Sequence, residues 1–424
     1  MNVYLGQAYY FNYRQLVDHN DVSKGTFKQQ VVLTFVGKDA NTILHTQGYA
    51  LAGLHAANHN RLDSIDAPYL LSALSKNPEI QYDLNCVQVE YRYNGFSLPE
   101  GEADSFKYLS AEQQSKDLHA IVSDLKKALI TGGGKWLSTG VSKNGMTTAQ
   151  YAYYDEMNGW NDIDIYVPFT APIPPVEFDI RIGEYMIKES SESVRSDLEK
   201  AYRKLVDDKA IADATIEAYK EKFPSNSQSP IDYYTVATAA IGNLFAVQSY
   251  GDIDTWKKFI PTENSTPEEY ATFFMLDDND DRIYRQNNRR AAAERQDPFA
   301  VQIGIDQGNL GYDYTWLLDG KLLSDDDKAA LRKQMEDSKN SKPIDLEVKL
   351  LENLKTTKKH LVFVYGENDP WTGAAIPDPT NPNVKKHIVP NGTHTDNFKQ
   401  YAWYPGGKEV ADQILADIKV WMNQ

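Results

Sequence analysis

Residues 136–146 read WLSTGVSKNGM, a short apolar run followed by a serine between glycines. The run predicts a buried strand, and the residues after it predict the start of a helix. A serine at such a junction is typical of the strained G-x-S-x-G turn that exposes a nucleophile. Here Asn144 stands in the place of the second glycine, and Gly145 follows one residue late. The stretch is either a nucleophile turn with one unusual residue or an ordinary turn that resembles one.

An acid and a histidine follow two later predicted strands. Asp369 comes after HLVFVYG and His394 after VKKHIVP. A nucleophilic serine needs a base to take its proton and an acid to orient that base, and α/β-hydrolases carry them in the order serine, acid, histidine. Singly, these residues also fit a turn serine, a turn-capping acid and an exposed histidine. Because the carboxyl ends of parallel strands meet at one sheet edge, their joint placement predicts a catalytic triad of Ser142, Asp369 and His394.

The pattern along the chain predicts an α/β-hydrolase fold, a mostly parallel sheet with helices on both faces and an inserted helical cap. Strand and helix signals alternate over residues 1–175, the first part of the core. Residues 176–357 are rich in helical periodicity and poor in strand signals, as an inserted cap would be. Residues 358–424 resume the alternation as the second part of the core. A helix is predicted over 111–130, with Ser110 as its N-cap.

Composition limits the classes of partner. With 424 residues, 41% of them hydrophobic, the chain predicts two domains or one large domain with an insertion. The formal net charge of −16 makes nucleic acid and anionic membrane surfaces poor partners. No apolar run approaches the ~20 residues that a membrane span needs. Nucleic acid and membranes are therefore not expected partners, while the oligomeric state is left open.

Three motifs imitate metal or phosphate sites, and each lacks a required feature. HAANH, residues 55–59, has no glutamate after its first histidine, and DDNDD, residues 277–281, is followed by Arg282 where a calcium loop needs glycine. GGG, residues 132–134, precedes a strand and has no P-loop spacing. No metal and no cofactor are expected. Cys86, the single cysteine, lies in an apolar run and is predicted to be a buried, inert thiol.

The triad and its surroundings resemble peptidase family S37, the prolyl tri/tetrapeptidyl aminopeptidases, and more distantly the prolyl carboxypeptidase and dipeptidyl peptidase II group. That family carries Ser-Lys-Gly-Gly-Met at the nucleophile, so Asn144 is the departure. Asparagine tolerates positive φ better than most residues, and Asn144 is therefore expected to fit the turn. The resemblance is carried by YYFNYRQLVDHND, GTFKQQVVLTF, TQGYA, VEYRYNGFS, KWLSTGVSKNGMT, FAVQIGIDQGNLGYD, GENDPWTG and NGTH.

The oxyanion hole of such an enzyme uses the backbone N–H of the residue after the nucleophile, here Lys143. A second donor comes from the loop after an early strand. TQGYA supplies that loop, since Gly48 and Tyr49 match the family's Glu-Gly-Tyr and Gln47 replaces its acid.

An aminopeptidase also holds a free ammonium, for which a buried carboxylate is well suited. Glu90 and Asp306 are the candidates, and Gln302 with Asp306 keeps the spacing of the family's Gln-x-x-x-Glu. For Glu90, an ion pair with Arg92 or another buried base is the competing interpretation.

The resemblance implies a serine exopeptidase that releases short peptides from free N-termini through an acyl-enzyme. A carboxylesterase or lipase on the same fold, or a silent binding relative, is the alternative. The family is secreted, so a secreted or periplasmic location is expected with the leader peptide removed. MNVYLGQAYY has no leader pattern of its own, and a cytoplasmic protein would begin in the same way.

Overall fold

The structure of the protein is a computed structural model. It describes residues 7–46, 74, 83–99, 106–177, 179–189, 191–222, 232–234, 237, 257, 260–274, 318–394, 396, 398 and 400–423.

Eight strands form one sheet in the described chain. Their order across the sheet is β1-β2-β4-β3-β5-β6-β7-β8. From β4 to β8 all neighbours are parallel, whereas β2 is antiparallel to both β1 and β4. The strands are β1 Gln7–Leu16, β2 Thr26–Phe35, β3 Thr42–Thr46, β4 Asn85–Val89, β5 Trp136–Val141, β6 Ile165–Phe169, β7 His360–Gly366 and β8 Val384–Val389.

Nine α-helices lie in the same described ranges. They are α1 Ala111–Ala128, α2 Lys143–Asn158, α3 Arg181–Glu189, α4 Glu192–Asp207, α5 Lys209–Lys222, α6 Pro267–Phe274, α7 Asp325–Lys339, α8 Asp345–Leu354 and α9 Gly407–Met422. Short 3-10 turns cover Val22–Lys24, Pro370–Ala374 and Gln400–Trp403. The predicted cap at the start of α1 is confirmed, because the Ser110 side chain accepts from the Gln113 N–H.

Helices cover both faces of the sheet because its central strands are buried on both sides. On one face, Leu44 and Tyr166 pack with α1, α2 and α8. On the other, Ile43 and Ile165 pack with Ile414 and the rest of α9. This order, with helices on both faces, is the α/β-hydrolase architecture, and the predicted fold is confirmed.

The regular elements described between β6 and β7 are helices, joined by loops and accompanied by an isolated bridge between Val176 and Pro343. Helices α3, α4, α5, α6 and α7 contribute to a hydrophobic cluster separate from the two that flank the sheet. Helix α8 differs, because its Leu350 and Leu354 pack into the sheet core. Thus α8 packs against the sheet although it falls within residues 176–357.

Candidate active site

Ser142 occupies the turn between β5 and α2 in a backbone conformation that L-residues rarely adopt. Its φ is 58° and its ψ is −123°. The Ser142 N–H donates to the Phe169 carbonyl at 2.9 Å and to Thr170 Oγ1 at 3.2 Å, which holds the turn against the end of β6. Strain of this kind persists only where the surroundings enforce it, and it is concentrated at functional positions. The half-buried Ser142 thus has the backbone of a nucleophile elbow.

Two glycines let this turn close. A Cβ on Gly140 would lie 2.5 Å from the Asn144 carbonyl oxygen, and a Cβ on Gly145 would lie 2.5 Å from the Phe169 carbonyl oxygen. Neither backbone could approach so closely with a side chain in place. The glycine that comes one residue late in the sequence therefore provides the contact between α2 and β6.

Asn144 lies in the first turn of α2 and is not among the residues with positive φ. Its carbonyl accepts from Thr46 Oγ1 at 2.8 Å and from Thr148 Oγ1 at 2.9 Å. The expectation that Asn144 must tolerate a left-handed backbone is wrong, because the strain falls on Ser142. Asn144, which departs from the family's motif, therefore occupies an ordinary helical position.

Asn144→Gly should retain activity and lower the free energy of unfolding by less than ~1 kcal/mol. The expected loss comes from the greater backbone entropy of glycine in a helix, with no strain to relieve. Thermal unfolding and peptide hydrolysis check this. A large loss of activity without unfolding would give the Asn144 side chain a catalytic or orienting role.

Asp369 and His394 form a buried pair after β7 and β8. His394 Nδ1 lies 2.9 Å from Asp369 Oδ2, and the side chains are 6% and 0% exposed. The other carboxylate oxygen, Oδ1, accepts from the Trp371 N–H at 3.0 Å. With Nδ1 donating to the carboxylate, the His394 tautomer leaves Nε2 as the atom that can accept a proton. Acid and base are thus arranged as in a serine hydrolase.

The loops that carry this pair touch through glycines. A Cβ on Gly366 would overlap the Gly392 carbonyl oxygen. The Asn368 N–H donates to that same oxygen at 2.8 Å, and the Glu367 N–H donates to the Val389 carbonyl at 3.0 Å. Nothing in the sequence marks this contact between Gly366 and Gly392, although both glycines lie at the ends of predicted strands.

Two further residues near the triad were also missed. Asp396, 7% exposed, accepts from the Thr393 N–H at 2.6 Å and from Tyr404 Oη at 2.7 Å, so it holds the backbone just before His394. Thr170 takes a positive φ of 42° beside Ser142. The motif NGTHTDN displays Asp396 two residues after the histidine, but nothing in the sequence marks Thr170.

Of the three residues expected to supply oxyanion donors, Lys143 is among the described residues. Lys143 is the first residue of α2, where backbone N–H groups point out of the helix and carry partial positive charge. Its Nζ lies 4.4 Å from the ring centroid of Tyr91. Gly48 and Tyr49 lie outside the described residues. Thr46, which ends β3 just before them, bonds the Asn144 carbonyl, and this brings the start of that loop to the elbow.

Of the carboxylates considered for an ammonium, Glu90 is described, whereas Asp306 and Gln302 lie outside the described residues. Glu90 is 0% exposed and follows the last residue of β4. Its Oε2 accepts from the N–H groups of Phe96 and Ser97, at 3.0 and 3.1 Å, and from Ser97 Oγ at 2.8 Å. The Glu90 carboxylate therefore stabilises the turn that follows it in the chain.

The suggested ion pair between Glu90 and Arg92 is wrong. Arg92 Nε and Nη2 donate to Asp117 at 2.7 and 2.6 Å. The remaining guanidinium hydrogens go to the carbonyls of Leu16, Val17 and Tyr108. All five donors of the guanidinium are thereby used.

Metal-binding residues do not cluster in the described ranges: no group of three or more His, Cys, Asp or Glu side chains there could hold an ion. HAANH and DDNDD lie outside those ranges. Cys86 is 1% exposed, so the prediction that its thiol is buried is confirmed, and burial raises the pKa of that thiol to about 12. No helix in the described part of the chain is long and apolar enough to cross a membrane.

This sheet order, with a serine elbow after β5 and a buried acid–histidine pair after β7 and β8, defines the serine-type α/β-hydrolases. The model of one family within that class, described as PS-10 peptidase S37, matches residues 2–225, more than half of the chain. The protein belongs to that family, as its motifs predicted. The matched residues include Ser142 but end before Asp369 and His394.

Individual proteins are similar to parts or all of the chain. The prolyl tri/tetrapeptidyl aminopeptidase of Streptomyces mobaraensis is 34% identical over 159 residues, 37% of this chain and 28% of that protein, so the match spans little more than a quarter of the relative. Homoserine O-acetyltransferase from Bacillus anthracis aligns at 9% identity with a TM-score of 0.44, covering 98% of each chain. Proline iminopeptidase from Mycobacterium smegmatis aligns at 12% identity with a TM-score of 0.41, covering 92% of this chain and 97% of its own.

Proposed function

We propose that the protein is a serine exopeptidase that releases short peptides from free N-termini through an acyl-enzyme. The observation that carries the proposal is the strained Ser142 elbow on the same sheet edge as the buried Asp369–His394 pair. Membership of the peptidase S37 family supports a peptide substrate. The similar Streptomyces mobaraensis protein is named for removing tripeptides and tetrapeptides, which supports short products here.

In the proposed mechanism, Ser142 Oγ attacks the scissile carbonyl while His394 Nε2 takes its proton. Asp369 keeps Nδ1–H of His394 engaged and stabilises the imidazolium that forms. The Lys143 N–H, with a donor from Gly48 or Tyr49, stabilises the oxyanion. His394 then protonates the leaving amine, and a water deacylates Ser142 by the same route in reverse.

Asp306 is proposed to bind the substrate's free amine, and Gln302 is proposed as a second substrate-binding residue in the segment 176–357 that we propose as a cap. Glu90 is less suited, because three hydrogen bonds from Phe96 and Ser97 already satisfy Oε2 of its buried carboxylate. Secretion is proposed from the family resemblance alone.

Two assays test this proposal. A fluorophosphonate probe should label the wild-type protein at Ser142, since it needs an activated serine but no particular substrate. Tripeptide and acetyl-ester chromogenic substrates then compare the two hydrolase classes, and the tripeptide should give the larger kcat/KM. A labelled protein that prefers the ester would favour the carboxylesterase alternative. A protein that takes no label would be a silent binding relative.

A further inference from the structure

The loop between β7 and β8 that carries Asp369 has two packing partners. On one side, Asp369 bonds His394. On the other, the 3-10 turn Pro370–Ala374 lies against α3, the first helix of the segment between β6 and β7. A Cβ on Gly373 would overlap the Arg181 carbonyl oxygen, and it would lie 2.7 Å from Ile182 Cα. The backbone of α3 therefore rests directly on the turn that follows the catalytic acid.

Apolar packing reinforces this junction. Ile182 and Ala374 are both 0% exposed and belong to the hydrophobic cluster of the helical segment, and Trp371 packs against it. The ring centroid of Trp371 lies 6.3 Å from that of His394. Residues 369–374 therefore contact His394 through Asp369 and the hydrophobic cluster of the helical segment through Trp371 and Ala374.

Tyr185 adds a polar contact to the same junction. From α3, its hydroxyl donates to the Glu367 carbonyl at 2.9 Å. Glu367 lies two residues before Asp369, and its own N–H is tied to β8 through the Val389 carbonyl. Burial raises the pKa of the Tyr185 hydroxyl, and the nearby carboxylates of Glu189, Glu367 and Asp369 raise it further. The hydroxyl therefore stays protonated, as a donor, across the working range of pH.

We propose that Tyr185 is a positioning residue for the catalytic acid, so that the seating of α3 sets the alignment of Asp369 with His394. This inference rests on the proposed function, because it takes Asp369 as the acid of the triad. A shift of the Glu367 backbone would move Asp369 relative to its histidine. Hydrolysis depends steeply on that alignment, whereas the binding of a peptide does not.

Tyr185→Phe tests the proposal, with Tyr270→Phe as its matched control. Tyr270, on α6, also donates its hydroxyl to a backbone carbonyl, that of Thr262, at 3.0 Å. Each ring also lies under a lysine ammonium, that of Lys188 for Tyr185 and that of Lys204 for Tyr270. Both variants remove one comparable hydrogen bond from the same helical segment, but only Tyr185 reaches the acid loop.

Tyr185→Phe should lower kcat by ~3- to 10-fold with KM changed less than twofold, the effect of losing about one hydrogen bond from the aligned state. The rate of fluorophosphonate labelling of Ser142 should fall by a similar factor. Tyr270→Phe should keep the wild-type kcat, KM and labelling rate. The melting temperatures of both variants are measured to compare their stability.

Equal kinetics in Tyr185→Phe and Tyr270→Phe, on a wild-type protein that is labelled, would overturn the positioning role and leave the proposed function intact. A rise in KM at unchanged kcat would also overturn it, since Tyr185 would then contact substrate. A wild-type protein that takes no label would overturn the proposed function and this inference with it.

Discussion

Ser142→Ala should lower kcat/KM for a tripeptide substrate by ~10⁴-fold or more and leave the melting temperature close to that of the wild type. The nucleophile cannot be replaced by the oxyanion donors and binding contacts that survive. Stability should hardly change, because the elbow is held by hydrogen bonds from the Ser142 backbone N–H to the Phe169 carbonyl and to Thr170 Oγ1, which the substitution keeps. Steady-state kinetics and thermal unfolding measure both quantities.

Ser138→Ala is the matched control for this variant. Ser138 lies on β5, the strand that leads into the Ser142 turn; it is 0% exposed, and its hydroxyl has no hydrogen-bond partner among the described residues. Its removal should leave both labelling and hydrolysis unchanged. His394→Ala should match Ser142→Ala in its loss, since triad members act as a unit. Full activity in Ser142→Ala or His394→Ala would remove the triad from the mechanism.

Elements whose own residues fix their conformation were predicted well from the sequence. The apolar run HLVFVYG is β7 over its full length, and WLSTGV is β5. The pattern 407–422 is α9 with the same bounds. These segments are buried in a regular way, so periodicity alone identifies them. Their order along the chain also places Ser142, Asp369 and His394 after the ends of strands, where the proposed triad needs them.

β1 was not predicted, because its own residues do not show a regular apolar pattern. QAYYFNYRQL carries aromatic and polar residues together and is stabilised by pairing along its whole length with β2, from Gln7 with Phe35 to Leu16 with Thr26. The sequence CVQVEYRY, residues 86–93, has the pattern of one strand, but β4 stops at Val89, because the Glu90 carboxylate binds the N–H groups of Phe96 and Ser97 and turns the chain. Contacts of this kind depend on the tertiary structure.

Charge pairing near the site was equally hard to predict. Glu90 and Arg92 are neighbours in sequence, yet Arg92 pairs with Asp117 of α1 inside the fold. A buried guanidinium is placed by the geometry of all its acceptors, so sequence proximity is a poor guide to its partner. At the elbow, the sequence located the unusual residue at Asn144, but the left-handed backbone belongs to Ser142.

N-acetylation of a peptide substrate should lower kcat/KM by ~30-fold or more. An acetylated substrate leaves the amine-binding carboxylate buried and unpaired, which costs about 2–5 kcal/mol by analogy with a truncated buried charge pair. Free and acetylated forms of one chromogenic tripeptide give the ratio directly. Equal cleavage of the two forms would end the aminopeptidase proposal and move the esterase alternative ahead.

Asp306→Asn then identifies the carboxylate that makes the discrimination. The variant should cleave free and acetylated tripeptides at nearly equal rates, while Ser142 keeps its wild-type labelling rate, because only the ammonium has lost its partner. Glu90→Gln is the control: it should lose ~1–3 kcal/mol of stability, since the amide serves the Phe96 and Ser97 donors less well, and keep the full preference for a free amine. If the preference survives Asp306→Asn but disappears in Glu90→Gln, the site assignment passes to Glu90 and the exopeptidase mechanism stands unchanged.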